Sequence, residues 1–374
     1  ARTHAFVNHK FSSRHSLRSG LYYTQFFFDV LSAGLVPQTG LEGVFLDSRG
    51  STGLAQAYGQ WQYRFSERLE VTSGVHQMWF LLNNSLRTEP RAGLSWRPAQ
   101  NQKISLGVGL HSRLEPVSTY LIRPSGVAAL GEANRSLRPA GSFHAVAGYE
   151  MTPGGDLHLK TEIYYQHIYK VPVDTTPGSQ LSVLNLNAEI PRVVYANRGF
   201  GRNYGWELTV EKFFSRHYFF LFTASLFQAE YSMGKGQVWR PGRFSAGYLF
   251  NGLGGYEWVF GRRRQNTWSL NLRGLWRGGN RFTPIDTAAS IAAGREILDA
   301  HEVFARRLPA YLRVDFSTVL RLNFKKWALG LSLEVQNLTN RRNVNRYFFD
   351  PYSQQVRTAY MFGIMPVFNI KAEF

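Results

Sequence analysis

Apolar and polar residues take turns along much of this chain with a period of two. In YLRVDFSTVLRLNF, Leu312, Val314, Phe316, Leu320, Leu322 and Phe324 share one face of an extended chain; Tyr311, Arg313, Asp315, Ser317, Arg321 and Asn323 share the other. Side chains of a strand alternate between its faces, so the pattern predicts a strand with one oily and one charged side. After a tight turn at Lys325 and Lys326, WALGLSLEVQN sets Trp327, Leu329, Leu331, Leu333 and Val335 against Gly330, Ser332, Glu334 and Gln336. Two such runs joined so closely predict an antiparallel hairpin. The final residues, MFGIMPVFNIKAEF, place Phe362, Ile364, Pro366, Phe368, Ile370 and Phe374 on alternate positions with Asn369, Lys371 and Glu373 between them. A strand is predicted over the whole stretch. Pro366 cannot donate a ladder hydrogen bond and is expected to mark a bulge or weakened pairing.

The same grammar recurs upstream. Ile104, Leu106, Val108 and Leu110 alternate with Ser105, Gly107, Gly109 and His111, and Trp268, Leu270, Leu272 and Trp276 with Ser269, Asn271, Arg273 and Arg277. Further runs begin near Thr3, Leu17, Ala55, Leu69, Arg91, Ser142, Asp156, Asn203, Tyr218 and Phe244, giving about fifteen strands of roughly ten residues. Their connections alternate too. Short ones (SSRH, FSER, PAQN, TPGG, SRH, GRRRQ, FKK) interleave with longer ones, including residues 114–136, 170–199 and 281–307. This predicts an up-and-down antiparallel sheet with two chemically different ends.

A face that is oily at every second residue can be buried in a soluble core or turned to lipid. Soluble sandwich strands run nearer five or six residues, and no four-stranded repeat of a propeller is present. Arg, Glu, Gln and Gly on the opposite face suit the wet interior of a membrane barrel. Trp268 and Trp276, eight residues apart on one face, would lie roughly 20 Å apart along the membrane normal, close to the height of an apolar band between aromatic girdles. The expected fold is all-β, a transmembrane antiparallel up-and-down barrel domain spanning residues 1–374, with Trp268, Trp276 and Trp327 in its girdles. Arg273, Arg277, Arg313, Arg321 and Glu334 are expected to face the lumen.

Composition sharpens this. The chain carries 28 Phe, 19 Tyr, 9 Trp and 35 Gly, a balance that favours strands and turns. No run approaches the ~18 apolar residues of a membrane helix. With no Cys there is neither a disulfide framework nor a thiolate metal site. The formal charge of +18 raises the question of nucleic acid. Its dispersal argues against that partner, since the one tight run, Arg262 to Arg264, reads as a solvated turn or one facing anionic lipid.

No catalytic constellation or cofactor motif stands out. Ser142 and His144 share a strand face, but such pairs are common in strands, and the chain reads as no enzyme. No EF-hand-like acidic run is present. The long connections read either as surface structure or as a ligand-capturing rim. The inward arginines read first as partners for nearby carboxylates and second as a bias toward anionic solutes.

RLPAYLRVDFSTVLRLNF, LSLEVQNLTNRRN and the aromatic final strand together resemble the C-terminal end of a TonB-dependent outer-membrane receptor of the Bacteroidetes type. The resemblance implies a twenty-two-stranded barrel in the bacterial outer membrane, filled by an N-terminal plug with a TonB box ahead of it. It implies active import powered by the TonB, ExbB and ExbD machinery, contact with outer-membrane lipid and lipopolysaccharide, and in some receptors a surface lipoprotein. It also implies that Phe368, Ile370 and Phe374 signal to the barrel-assembly machinery. An odd strand count fits the segment from roughly the eighth strand onward, so plug, TonB box and about seven strands are expected outside this chain. The rival readings are a passive porin and a structural subunit of an outer-membrane assembly.

Overall fold

A computed structural model describes residues 1–35, 42–122, 133–187, 191–263 and 265–374. The strands are β1 (Arg2–Lys10), β2 (His15–Leu35), β3 (Glu42–Arg64), β4 (Leu69–Phe80), β5 (Ser85–Trp96), β6 (Gln102–Arg113) and β7 (Ala140–Met151). After them come β8 (Leu157–Asp174), β9 (Tyr195–Ser215), β10 (Tyr218–Ser232), β11 (Arg240–Pro241), β12 (Tyr248–Phe260), β13 (Asn266–Arg277) and β14 (Arg281–Phe282). The last are β15 (Arg306–Arg307), β16 (Tyr311–Asn323), β17 (Ala328–Gln336), β18 (Val344–Asp350), β19 (Gln355–Tyr360) and β20 (Met365–Glu373). Two short helices, α1 (Val117–Leu121) and α2 (Thr287–Ala293), lie in connections. No described helix is long and apolar enough to cross a membrane.

A single sixteen-stranded sheet runs in the order β1 to β10, β12, β13, β16, β17, β20, with β11 attached to β10. Each step joins strands adjacent in the chain apart from small excursions, so the topology is the up-and-down meander the alternation predicts. Every short turn read from the sequence separates two ladder neighbours. Within GRRRQ, Arg262 and Arg263 occupy the turn, and Arg264 lies outside the described residues.

Three details depart from the sequence reading. β2, β3 and β9 run for 21, 23 and 21 residues, beyond the ten or so that alternation suggested, because pairing persists into the long-connection end. The final strand starts at Met365, leaving Phe362 and Ile364 outside it, since residues 337–364 make an excursion containing the β18–β19 hairpin. Pro366 makes no bulge: Val335↔Pro366 sits in unbroken register between Gln336↔Met365 and Glu334↔Val367. A proline fits a ladder when its missing N–H would have pointed away from the partner. β20 is last in the order, and no ladder of the described residues occupies its other side.

The chain divides into two compact units: residues 1–148, 164–204 and 229–242 form one, and 149–163, 205–228 and 243–374 the other. In the first, the outward ladder positions Tyr23, Ala55, Trp79 and Leu86 lie level across β2 to β5. Near the opposite end His15 stacks on Trp61 at 5.7 Å and Tyr63 meets Phe65 at 4.3 Å, next to the β3–β4 turn. A small core of Leu54, Met78, Phe80, Tyr120, Leu137 and Tyr195 sits where loops fold onto strand ends. In the second unit, Trp268↔Leu320, Leu272↔Phe316 and Trp276↔Leu312 fix one apolar face, and Leu331↔Ile370 and Leu333↔Phe368 continue it.

That face is uncovered by protein. Trp268, Leu272 and Trp276 are 43%, 53% and 48% exposed. Burying a large apolar side chain is worth about 1.5–3 kcal/mol, so a sheet that leaves this many unburied is matched to a hydrocarbon solvent.

Candidate functional site

The polar face of the second unit is a web of paired charges. Arg313 donates from Nε to Asp315 Oδ1 at 2.6 Å and from Nη2 to Gln336 Oε1 at 3.1 Å. Asp315 also accepts from the Asn337 amide at 2.8 Å, and Arg273 stands opposite it in the ladder. Arg273 Nε reaches Asn251 Oδ1 at 3.4 Å. Arg277 donates to Asn280 Oδ1 at 2.8 Å and lies 5.3 Å over the Tyr311 ring. Arg321 donates to Glu373 Oε2 at 2.6 Å, the carboxylate also held by Lys371 at 2.6 Å, and Glu334 accepts from Gln336 Nε2 at 3.1 Å. All five residues read from the sequence share this face. The structure brings Arg273 and Arg313 together around Asp315 and leaves Arg277, Arg321 and Glu334 with separate partners.

The polar face of the first unit holds a second web. His76 Nδ1 lies 3.0 Å from Glu89 Oε2, which accepts from Arg91 Nη2 at 2.7 Å; Glu89 itself is buried. Farther along, the His111 and His144 rings lie 4.6 Å apart. Gln166 Nε2 donates to Ser142 Oγ at 3.1 Å and sits 2.7 Å from His144 Nε2, while its Oε1 accepts from Asn203 at 2.6 Å. Ser142 and His144 therefore converge on one amide, and Ser142 Oγ serves as an acceptor there. The shared face of Ser142 and His144 was legible in the sequence; their meeting with Gln166 and Asn203 was not, because the ladder brings these residues together from β7, β8 and β9. Among the described residues no group of three or more His, Cys, Asp or Glu is placed to hold a metal.

At the long-connection end of the first unit, parts of two loops lock together. The sequence reading singled out 114–136 and 170–199; positions 123–132 and 188–190 of these lie outside the described residues. In the remainder, fully buried Asn134 donates to Val193 O at 3.0 Å and accepts from the Tyr195 amide at 2.8 Å. Asn83 donates to the carbonyls of Arg135 and Leu137 at 2.9 and 2.6 Å, and Asn197 binds both backbone groups of Arg138. Asparagine suits this work because its amide carries both donors and acceptors for otherwise orphaned backbone groups. Burial pushes the Tyr120 phenol up to about 12 and raises the Glu115 carboxyl.

The second unit caps its own long-connection end with α2 and two hairpins. Asp286 Oδ1 accepts from the Ala289 amide at 2.9 Å, and Gly294 closes the helix at φ 63°. Glu296 Oε2 then accepts from the Phe349 amide at 3.1 Å, and Phe282 meets Tyr347 at 5.1 Å, tying the β18–β19 hairpin to the rest.

At the short-turn end, Lys212 is nearly buried, donating to Ser215 Oγ at 2.6 Å and facing Asp156 Oδ2 at 3.3 Å. The Ser215 hydroxyl, first, and Lys212 hold the Asp156 carboxyl below its usual range. The same end gathers aromatic rings: Trp258 on Trp268 at 5.0 Å, and Phe324 and Phe374 on either side of Trp327 at 4.5 and 6.3 Å. Trp276, at the other end of β13, packs on Tyr248 and Phe250 at 5.0 and 5.4 Å.

A sheet of this order, with an oily outer face, a salt-bridged inner face and loops packed at one end, is that of an outer-membrane barrel. The model of the TonB-dependent receptor-like β-barrel matches residues 2–338, and the chain belongs to that family, whose members reside in the outer membrane of Gram-negative bacteria. Among solved structures, the ferric yersiniabactin uptake receptor FyuA from Yersinia pestis is similar at a TM-score of 0.66 and 14% identity, over 100% of this chain and 53% of that one. The ferric-catecholate import receptor Fiu from Escherichia coli K12 gives 0.66 and 13%, over 100% and 54%. The FrpB iron transporter from Neisseria meningitidis gives 0.63 and 12%, over 98% and 54%. The chain thus spans about half the length of these structures. No curated protein sequence matches it.

Proposed function

We propose that this chain forms the greater part of the barrel of a receptor that imports an extracellular ligand across the outer membrane. The observation that carries the reading is the family match over residues 2–338. In this reading the loops of the long-connection end face outward and capture the ligand, and a plug within the lumen, pulled by TonB with ExbB and ExbD, opens the path. The protein is a transporter and not an enzyme, and the barrel-assembly machinery inserts it.

The inner charges fit a wall more than a steering device. Arg313, Arg321 and Lys371 each have a carboxylate within 2.6 Å, so most of their field is spent on acids of the same wall. Trp268, Trp276 and Trp327 would anchor the barrel at the two lipid interfaces.

Planar-bilayer recording of the complete receptor separates this reading from its rival. A plugged receptor is expected to be nearly silent, and its ligand uptake in cells is expected to stop when TonB is deleted. Steady open-channel conductance, with uptake indifferent to TonB, would overturn the proposal in favour of a passive porin.

A further inference from the structure

On the polar face of the first unit, two imidazoles meet across neighbouring strands. Gly109 is the ladder partner of Arg91, so His111, two residues farther along β6, shares the face of Arg91. His144 of β7, the next strand of the sheet, brings its ring centre to 4.6 Å from that of His111, with the two planes inclined by 56°. A metal bound at ~2.1 Å by a ring nitrogen lies about 3.2 Å from the ring centre, so imidazoles on adjacent positions of one ion have centres roughly 4.5–5.2 Å apart. The observed spacing falls in that range. The inclination also sets the pair apart from a flat stack, whose nitrogens cannot face a common point.

The two rings are prepared differently. His111 makes no hydrogen bond to any described residue, which leaves the lone pair of its neutral ring free. His144 is held by Gln166, whose amide nitrogen lies 2.7 Å from Nε2 and is itself fixed through Ser142 and Asn203. With Nδ1 on a metal, Nε2 of His144 carries the ring proton and needs an acceptor, the usual way in which a metal-bound histidine is oriented. Gln166 supplies one when its amide turns over. Ser142 and Asn203 fit both orientations, because a hydroxyl and an amide each donate and accept.

The nearby charges nearly cancel. Arg91, Glu89 and His76 lie close enough to His111 to act on it. Arg91 is offset by Glu89, which accepts from its guanidinium at 2.7 Å and is buried. Oε1 of Glu89 has no hydrogen-bond partner among the described residues, so this carboxylate keeps part of its field for a cation. Imidazole nitrogen suits copper(II), nickel(II) or zinc(II) and not calcium or magnesium, which take oxygen. Among the described residues no third His, Cys, Asp or Glu completes a cluster, so solvent fills the other positions.

We propose that His111 and His144 bind one divalent transition-metal ion on the inner wall, through one nitrogen each, with Gln166 orienting His144. The inference rests on this wall alone and not on transport, so either can fail without the other.

Titration of the complete receptor in detergent with copper(II), followed by electron paramagnetic resonance, tests it. One ion per chain is expected to show coupling to two imidazole nitrogens, and excess zinc(II), but not calcium, should displace it. Loss of a neighbour that merely orients a ligand costs roughly 10–100-fold in metal affinity, so His111→Asn or His144→Asn, which removes a ligand itself, should cost about a hundredfold or more and abolish the two-nitrogen signal. If His144→Asn disturbs the contacts around Gln166 and fails to fold, His111→Asn, which breaks no hydrogen bond to the described residues, decides alone. Absence of a two-nitrogen ion in the parent protein, its persistence in His111→Asn, or its displacement by calcium would overturn the proposal.

Discussion

Leu272→Arg is expected to destabilise the folded barrel by about 2–4 kcal/mol, the cost of a charge on the lipid face near the bilayer midplane. Leu272 lies four residues from Trp268 and four from Trp276 on the same face of β13, as far as that strand allows from either aromatic end. Its side chain is 53% exposed and paired with Phe316 and Gly254, neither of which offers a counter-charge. Ser269→Arg, on the polar face of the same strand, should cost far less. Equilibrium unfolding in lipid vesicles checks both. Equal costs at the two positions would mean that β13 does not separate hydrocarbon from water.

Deletion of Phe374 should strongly reduce the amount of receptor at the cell surface while changing the stability of the assembled protein little. Phe374 is 99% exposed, and its contact with the folded chain is the offset stack on Trp327 at 6.3 Å. An aromatic pair of that kind contributes about 0.5–1.5 kcal/mol, too little to explain loss of a barrel. A large fall in surface level would therefore report recognition during assembly, together with Phe368 and Ile370. These two face outward opposite Leu333 and Leu331. Phe374→Trp should restore the level. Normal surface amounts of the truncated protein, measured by labelling of intact cells, would contradict this role.

The meander was legible in the sequence because its signal is local. Two-residue alternation and turns such as SSRH and FKK need no knowledge of distant residues. What lay outside such patterns was missed. The hairpin of VNRYFFD and QVRTAY precedes the final stretch, whose first residues lead back from it to β20, and with alternation alone Phe362 and Ile364 looked continuous with Phe368. Asp286 ahead of TAASIAA with Gly294 behind it is a readable helix signature inside a connection read only as surface structure or a ligand-capturing rim. The polar webs were half legible. Alternation put Arg273, Arg313 and Arg321 on one face, and Arg313 with Asp315 two residues on along the same strand, but that Arg321 pairs with Glu373 depends on ladder register. The asparagines that hold the loops, Asn83, Asn134 and Asn197, bridge segments more than fifty residues apart and leave no trace in local spacing.

The chain contains no cysteine, so a single one placed at each position from Trp268 to Arg277 is the only one within it. Spin labels at these sites, in receptor reconstituted into vesicles, report collision with oxygen dissolved in lipid and with a water-soluble nickel chelate. Oxygen accessibility is expected to peak at residues 268, 270, 272, 274 and 276 and chelate accessibility at the positions between them. Uniform access to the chelate, or a profile without a period of two, would contradict the assignment of this strand to a membrane-spanning wall.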